Sequence, residues 1–230
     1  MSGLRAAVPL YRYPGEDRAL WERVLTPGAV DLVVVNVDSG PGSGLDPAFA
    51  EALHCAPDTV HGYVDTAYGQ RPVDEIRDEA RHWYERYAVR SIFLDQVISG
   101  TGPDGRVDAG ALATLTRLVG ALRRDGIRTI SGNPGTVPHR WVLTILDVTC
   151  VRETDLKTHL STPIAPIADV EPSSLWHLIY DCPDDRAQEA LARSVELGAG
   201  LVGLAPDGLP HPWGAVGYLN DSPPRLSRYD

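Results

Sequence analysis

The chain has 230 residues, 43% of them hydrophobic and 23% charged, with a formal net charge of -10. That length suits one sizeable α/β core, and the ordinary composition excludes a disordered or fibrous chain. The acidic balance argues against a nucleic-acid backbone as partner.

Cys55, Cys150 and Cys182 make an odd number and form no C-x-x-C pair, so neither a disulfide framework nor a zinc knuckle is indicated. Reduced, buried thiols are the expectation. No apolar stretch approaches the roughly 20 residues that span a bilayer. Met1 runs almost directly into Ala6-Ala7-Val8-Pro9-Leu10, without a basic-then-apolar leader, so a cytoplasmic location is expected.

Apolar, β-branched runs predict strands at Ala6–Leu10, Asp31–Val35, Val60–Val64 and Ser91–Leu94. Further strands are predicted at Arg128–Ser131, Asp147–Val151, Trp176–Ile179 and Gly200–Leu204. Between them the clearest helices are Val73–Tyr87, Ala109–Arg124 and Arg186–Leu197. In Ala109–Arg124, Leu112, Leu115, Val119 and Leu122 recur at helical spacing, and Gly126 follows as a stop. Asp184 and Asp185 are candidate caps for the start of Arg186–Leu197, and Gly198 for its end.

Strands alternating with helices in this number predict an α/β protein, a (β/α)8 TIM barrel forming a single domain over residues 1–230. The chain is short for that fold, so several helices must be short or absent. A doubly wound open sheet is the alternative. It would carry a Gly-rich phosphate loop after its first strand, where this chain has Tyr11-Arg12-Tyr13-Pro14-Gly15. The Pro-rich stretch from Leu209 to Pro224 is predicted to pack on the barrel through Trp213 and Tyr218.

In such a barrel, active sites form at the C-terminal ends of the strands. Those ends supply Tyr11 and Tyr13, Asn36, Asp65 and Tyr68, Asp95 and Gln96, Asn133, Glu153, and Tyr180. Aromatic rings suit the C–H faces of sugars, and amides and carboxylates suit their hydroxyls. Two acids from two strands, Asp95 and Glu153, are the minimum set for glycosidic cleavage. Plainer readings stand beside these. Tyr11 and Tyr13 can pack under a loop, Asn36 with Gly40-Pro41-Gly42 can be turn chemistry, and Asp65 can cap a turn. Asp95 is harder to dismiss, because an acid directly after Ile92-Phe93-Leu94 is costly to bury without partners. No H-x-x-x-H or H-E-x-x-H pair and no G-x-S-x-G elbow occurs, so neither a metal site nor a serine hydrolase is predicted. No cofactor is predicted. The expected ligand is an oligosaccharide or another small molecule.

The strand-end phrases, taken in order, resemble the spherulin-4 (spherulation-specific family 4) glycoside hydrolases. They include Val8-Pro9-Leu10-Tyr11-Arg12-Tyr13-Pro14, Gly62-Tyr63-Val64-Asp65-Thr66-Ala67-Tyr68-Gly69, Ile92-Phe93-Leu94-Asp95, Asn133-Pro134-Gly135-Thr136 and Trp176-His177-Leu178-Ile179-Tyr180. The resemblance covers nearly the whole chain. It implies a (β/α)8 barrel and activity on α-1,4-linked galactosamine or N-acetylgalactosamine polymers. In that family the strand-four motif reads Asp-Glu and a further Glu follows strand six, which correspond to Asp95, Gln96 and Glu153. Two of the three acids are kept, and Gln96 cannot titrate or attack as an anion. Glu153 is expected as acid/base and Asp95 as nucleophile or charge stabiliser. Gln96 also opens two other readings: a barrel enzyme repurposed for a small biosynthetic intermediate (a cyclase, lyase or isomerase), or a carbohydrate-binding pseudoenzyme.

Overall fold

Runs such as Leu32-Val33-Val34-Val35 are apolar on both faces, as strands are when helices cover one side and other strands the other. A computed structural model of the chain describes residues 4–54, 56, 58–163 and 166–216. In it the strands are β1 (Arg5–Leu10), β2 (Leu32–Val35), β3 (Val60–Asp65), β4 (Ser91–Asp95), β5 (Thr129–Asn133), β6 (Val148–Asp155), β7 (Leu175–Tyr180) and β8 (Leu201–Leu204). They pair in parallel in chain order, and β1 pairs with β8 to close the barrel. The sheet is therefore closed, and the open doubly wound alternative is excluded.

Period-two alternation sorts the strand residues into two layers. Ala7, Leu32, Val34, Phe93, Trp176 and Leu178 pack together inside the barrel. Val8, Leu10, Val33, Val35, Ile92 and Leu94 pack outward against the helices. The glycines fit where no side chain can. A Cβ on Gly203 would lie 2.4 Å from the Ala7 carbonyl oxygen, and one on Gly62 would lie 2.4 Å from the Trp83 ring.

Seven helices lie among the described residues: α1 (Arg18–Val24), α2 (Pro47–Leu53), α3 (Val73–Tyr87), α4 (Ala109–Arg124), α5 (Arg140–Ile145), α6 (Leu156–Ser161) and α7 (Ala187–Glu196). Helices α3 and α4 have the bounds that their apolar spacing predicts. Helices α1, α2, α5 and α6 have only six or seven residues each, too few for that spacing to show. Three of them are instead announced by capping acids: Asp17, Asp46 and Asp155 accept backbone N–H groups of the first turn. Helix α7 departs from expectation at its start. A 3-10 turn, Asp184–Arg186, leads into it, and its cap position is Arg186, with no side-chain capping bond. Gly198 ends it with a left-handed φ of 85°.

The described part of the Pro-rich stretch, up to residue 216, does return to the barrel. Trp213 is 8% exposed and its carbonyl accepts the Tyr11 N–H at 2.9 Å. Cys55 and Tyr218 lie outside the described residues. Cys150 and Cys182 are buried free thiols.

Candidate active site

Register brings Asp65, Asp95 and Asn133 side by side at the ends of β3, β4 and β5. Asp95 is the last residue of β4, facing the mouth two positions above the lumen residue Phe93. The Tyr63 hydroxyl donates to Asp95 Oδ2 at 2.8 Å. The Gln96 backbone N–H and the Asn133 side chain also act to lower the pKa of this carboxylate. Burial nevertheless wins and raises the Asp95 pKa, with the Asp65 charge adding to it. Tyr63 itself is desolvated and next to Asp95, so it stays a neutral donor.

Glu153 reaches the same place through an irregularity. Cys150 faces the lumen, so strict alternation would turn Arg152 and Thr154 inward and Glu153 outward. The pairing of β6 with β7 shifts between Cys150 and Arg152, and beyond the shift Glu153 is opposite the lumen residue Leu178. This bulge re-aims the acid into the barrel mouth. The Cys150 thiol donates to the Arg152 carbonyl at 3.4 Å across it. Arg152 is left outside, where its Nε donates to His159 Nδ1 at 2.9 Å. The strand thus continues four residues past Val151, where its apolar run stops.

Glu153 accepts from Asn133 Nδ2 at 2.6 Å and from Trp213 Nε1 at 3.2 Å. Asn133 therefore joins the two acids, and its own Oδ1 is fixed by the Gly135 N–H at 2.9 Å. Burial raises the Glu153 pKa, and the charge on Asp95 raises it further against the Asn133 and Trp213 donors. Asp95 lies against Tyr63, and Glu153 against Asn133 and Trp213, so the two carboxyls sit in unlike environments.

An aromatic column supports the pair from below. Trp176 meets Phe93 edge-on at 5.8 Å, Phe93 meets Tyr63 at 6.1 Å, and Tyr63 meets Tyr11 edge-on at 6.0 Å. Tyr11 exposes 36% of its surface, yet desolvation and then Asp95, Tyr63 and Glu153 hold its hydroxyl pKa well above the ordinary value. Tyr180 meets Trp213 edge-on at 6.5 Å, and desolvation, Asp155 and Glu153 raise its pKa.

The other sequence-predicted residues are placed differently. Tyr13 lies to one side, its ring edge-on to Phe49 at 5.6 Å and its hydroxyl 3.4 Å from Asp46. Asn36 closes its own turn, accepting the Gly40 N–H at 2.9 Å. Asp65 caps the next turn by accepting the Ala67 N–H at 2.7 Å, while its charge acts on Asp95. Tyr68 donates its N–H to the Gln96 carbonyl at 2.7 Å. Gln96 meets Asp95 through its backbone N–H and has a left-handed φ of 51°. Two residues that contact the acids are missing from the sequence-derived set, Tyr63 and Trp213. Tyr63 was within reach, because it stands two positions before Asp65 on the same face of β3. Trp213 carried no such signal, since only the closed fold brings it to β6.

A model of the spherulation-specific family 4 matches residues 5–205. The chain belongs to this family. Its match spans both acids, Asn133 and Tyr63, whereas Trp213 lies beyond it. Spherulin-4 of Physarum polycephalum is 28% identical over 151 residues, 62% of this chain and 42% of that protein, so the similarity covers less than half of the relative. Among solved structures, Aspergillus clavatus Sph3 in complex with GalNAc is 24% identical and covers 95% of each chain with a TM-score of 0.73. The Bacillus cereus spore cortex-lytic enzyme SleL is 10% identical with a TM-score of 0.56, covering 92% of this chain and 73% of its own. At these identities both show the shared barrel. Among the described residues, no helix is long and apolar enough to cross a membrane, and no group of three or more His, Cys, Asp or Glu could hold a metal ion.

Proposed function

We propose that this family 4 protein is a glycoside hydrolase acting on galactosamine or N-acetylgalactosamine glycosides, with Glu153 as acid/base and Asp95 as nucleophile or charge stabiliser. The observation that carries the reading is the convergence of two desolvated acids on one amide, Asn133, at the barrel mouth. Paired carboxylates in unlike environments are what glycosidic cleavage needs: one protonated to leave with the sugar oxygen, one ionised to meet the positive charge on the ring. The fold shared with Sph3, which binds GalNAc, supports the sugar class. The separation of the two carboxyls decides between retention, at about 5–5.5 Å, and inversion, at about 6.5–9.5 Å, which must admit a water.

In this mechanism Glu153 protonates the leaving oxygen as Asp95 closes on the anomeric carbon. Glu153 then takes a proton from water that attacks the same carbon and displaces Asp95 as its carboxylate. Tyr63 and Asn133 keep Asp95 in place throughout, and Tyr11 and Tyr180 flank the ring. The test is cleavage of galactosaminoglycan-type oligosaccharides, read by mass spectrometry, with wild type and the Gln96→Glu and Asp95→Asn variants. Cleavage by wild type that is lost at least about 1,000-fold in Asp95→Asn is the expected result. No cleavage by either wild type or Gln96→Glu would overturn it. A second reading, altered chemistry on a small biosynthetic intermediate, is favoured by one feature. Gln96 stands where the family motif has an acid.

A further inference from the structure

A cavity of about 530 Å³ opens between α3 and α4, under the loops that follow β3 and β4. It shares a wall with the candidate active site. The Thr66 hydroxyl, on its lining, is 3.0 Å from the Asp95 carbonyl and 2.7 Å from that of Gln96. Val97 and Ile98, directly after Gln96, continue that wall. One side of this strand end thus presents the Asp95 carboxylate to the barrel mouth, and the other side lines the cavity. Tyr68 connects the two. It lines the cavity, and its hydroxyl oxygen lies 3.9 Å from where a side chain on Gly135 would begin, in the loop after β5. Ala67, Tyr68 and Gln96 have φ of 45°, 52° and 51°, left-handed values that such residues adopt only when their surroundings impose them. Strained positions of this kind cluster at ligand sites.

The lining says what kind of ligand fits. Its floor is aliphatic: Ile76, Val97, Leu115 and Leu118. Three of the polar side chains on its rim, Arg71, Asp108 and Ser99, are already engaged within the protein. Arg71 bonds Glu79 at 2.6 Å and the Asp65 carbonyl at 2.7 Å. The Asp108 carboxylate caps α4 through the Ala111 N–H at 2.9 Å, and the Ser99 hydroxyl donates to the Thr101 carbonyl at 3.2 Å. A sugar ring calls for unengaged donors and acceptors beside an aromatic platform, whereas a hydrocarbon calls for neither. The volume falls within the range of about 300–1,000 Å³ typical of small-ligand pockets.

We propose that this cavity receives the apolar aglycone, an alkyl or aryl group, of a glycoside whose sugar sits at the Asp95–Glu153 pair, with the linkage passing over Tyr68. The proposal deepens the glycosidase reading and rests on it for the sugar half. It adds glycosides of hydrophobic small molecules to the substrates of that site.

The test is calorimetric binding of octyl and methyl 1-thio-N-acetylgalactosaminides, which resist hydrolysis, and of 1-octanol. Wild type is compared with Ala111→Phe and Thr114→Phe, two separate fillings of the cavity, each checked for folding by circular dichroism. The octyl glycoside is expected to bind at least 10-fold more tightly than the methyl one. Either filling should reduce that advantage below 3-fold and leave methyl glycoside affinity unchanged. Equal affinity for the two glycosides in wild type, or an octyl advantage that survives both fillings, overturns the aglycone assignment and leaves the sugar site standing. Saturable 1-octanol binding that is lost in both filled variants, with neither glycoside bound, overturns the glycosidase reading instead. If none of the three binds, both fall.

Discussion

Glu153 is held by donors from two different parts of the chain, Asn133 at the end of β5 and Trp213 beyond β8. Each lowers the acid's pKa against burial and the Asp95 charge, so each tunes when the proton is available. Trp213→Phe keeps an aromatic ring beside Tyr180 and removes the N–H together with the rest of the indole. A hydrogen bond to a charged group contributes roughly 1.5–3 kcal/mol, and one pKa unit is about 1.4 kcal/mol. The Glu153 pKa is therefore expected to rise in Trp213→Phe, measured by carbon-13 NMR titration of the carboxyl group. An unchanged titration would reduce Trp213 to a packing residue. The two acids and Asn133 were legible as candidates in the sequence because each follows closely on an apolar run. Their hydrogen-bond partners were not all legible, because a donor such as Trp213 has no sequence relation to the acid it serves.

Helix α3 is pinned to the barrel through Trp83. The Trp83 ring covers Gly62, and its Nε1 donates to the Tyr63 carbonyl at 2.8 Å. That bond sits on the residue whose hydroxyl holds Asp95, so packing on the outer face and geometry at the mouth share one strand. A Cβ at position 62 would meet three atoms of the fully buried Trp83 ring at 2.4–2.6 Å. Gly62→Ala is expected to cost about 1–3 kcal/mol through overpacking. In a chain of this size that lowers the melting temperature by roughly 3–10 °C. A melting temperature within a degree of wild type would show that α3 yields without strain. The long helices α3 and α4 could be read from spacing, and the ends of the first strands came within a residue or two. The end of β6 could not be read, since the bulge follows from pairing with β7 and a single strand carries no mark of its partner's register.

Acid sensitivity belongs to the whole molecule, because it sums groups scattered through the barrel. Burial lowers the pKa of His61 to about 4, of His159 to about 4 and of His177 to about 3. An unfolded histidine titrates near 6.5. Below about 6.5 the unfolded chain therefore binds more protons than the native one, and stability falls as pH drops toward 3 to 4. At about pH 5 each ring costs on the order of 2 kcal/mol. The raised carboxyls of Asp95 and Glu153 act in the opposite sense, since the native state binds their protons first as pH falls. The three rings outweigh them, so the melting temperature is expected to decline steadily from pH 7 to pH 4.5. His177 Nδ1 is buried without a hydrogen-bond partner, so His177→Phe should leave stability at pH 7.5 equal or higher and flatten the decline. An equally steep decline in that variant would assign the acid sensitivity to other groups.

Alone, the sequence determined the closed alternation of strands and helices, the end of the barrel that carries the acids, and the family to which those phrases belong. These are matters of period, apolar run and local order, and they are written in neighbouring residues. The tertiary structure decided the rest. It turned Glu153 inward by a bulge, joined it to Asp95 through Asn133, and brought Trp213 across from β8. It gave Asn36 and Tyr13 to loops of their own, and it put a cavity behind the wall that carries Asp95. Each of these depends on which strand lies beside which and in what register. Closure of the barrel sets that, because only then do residues far apart in the chain share one mouth.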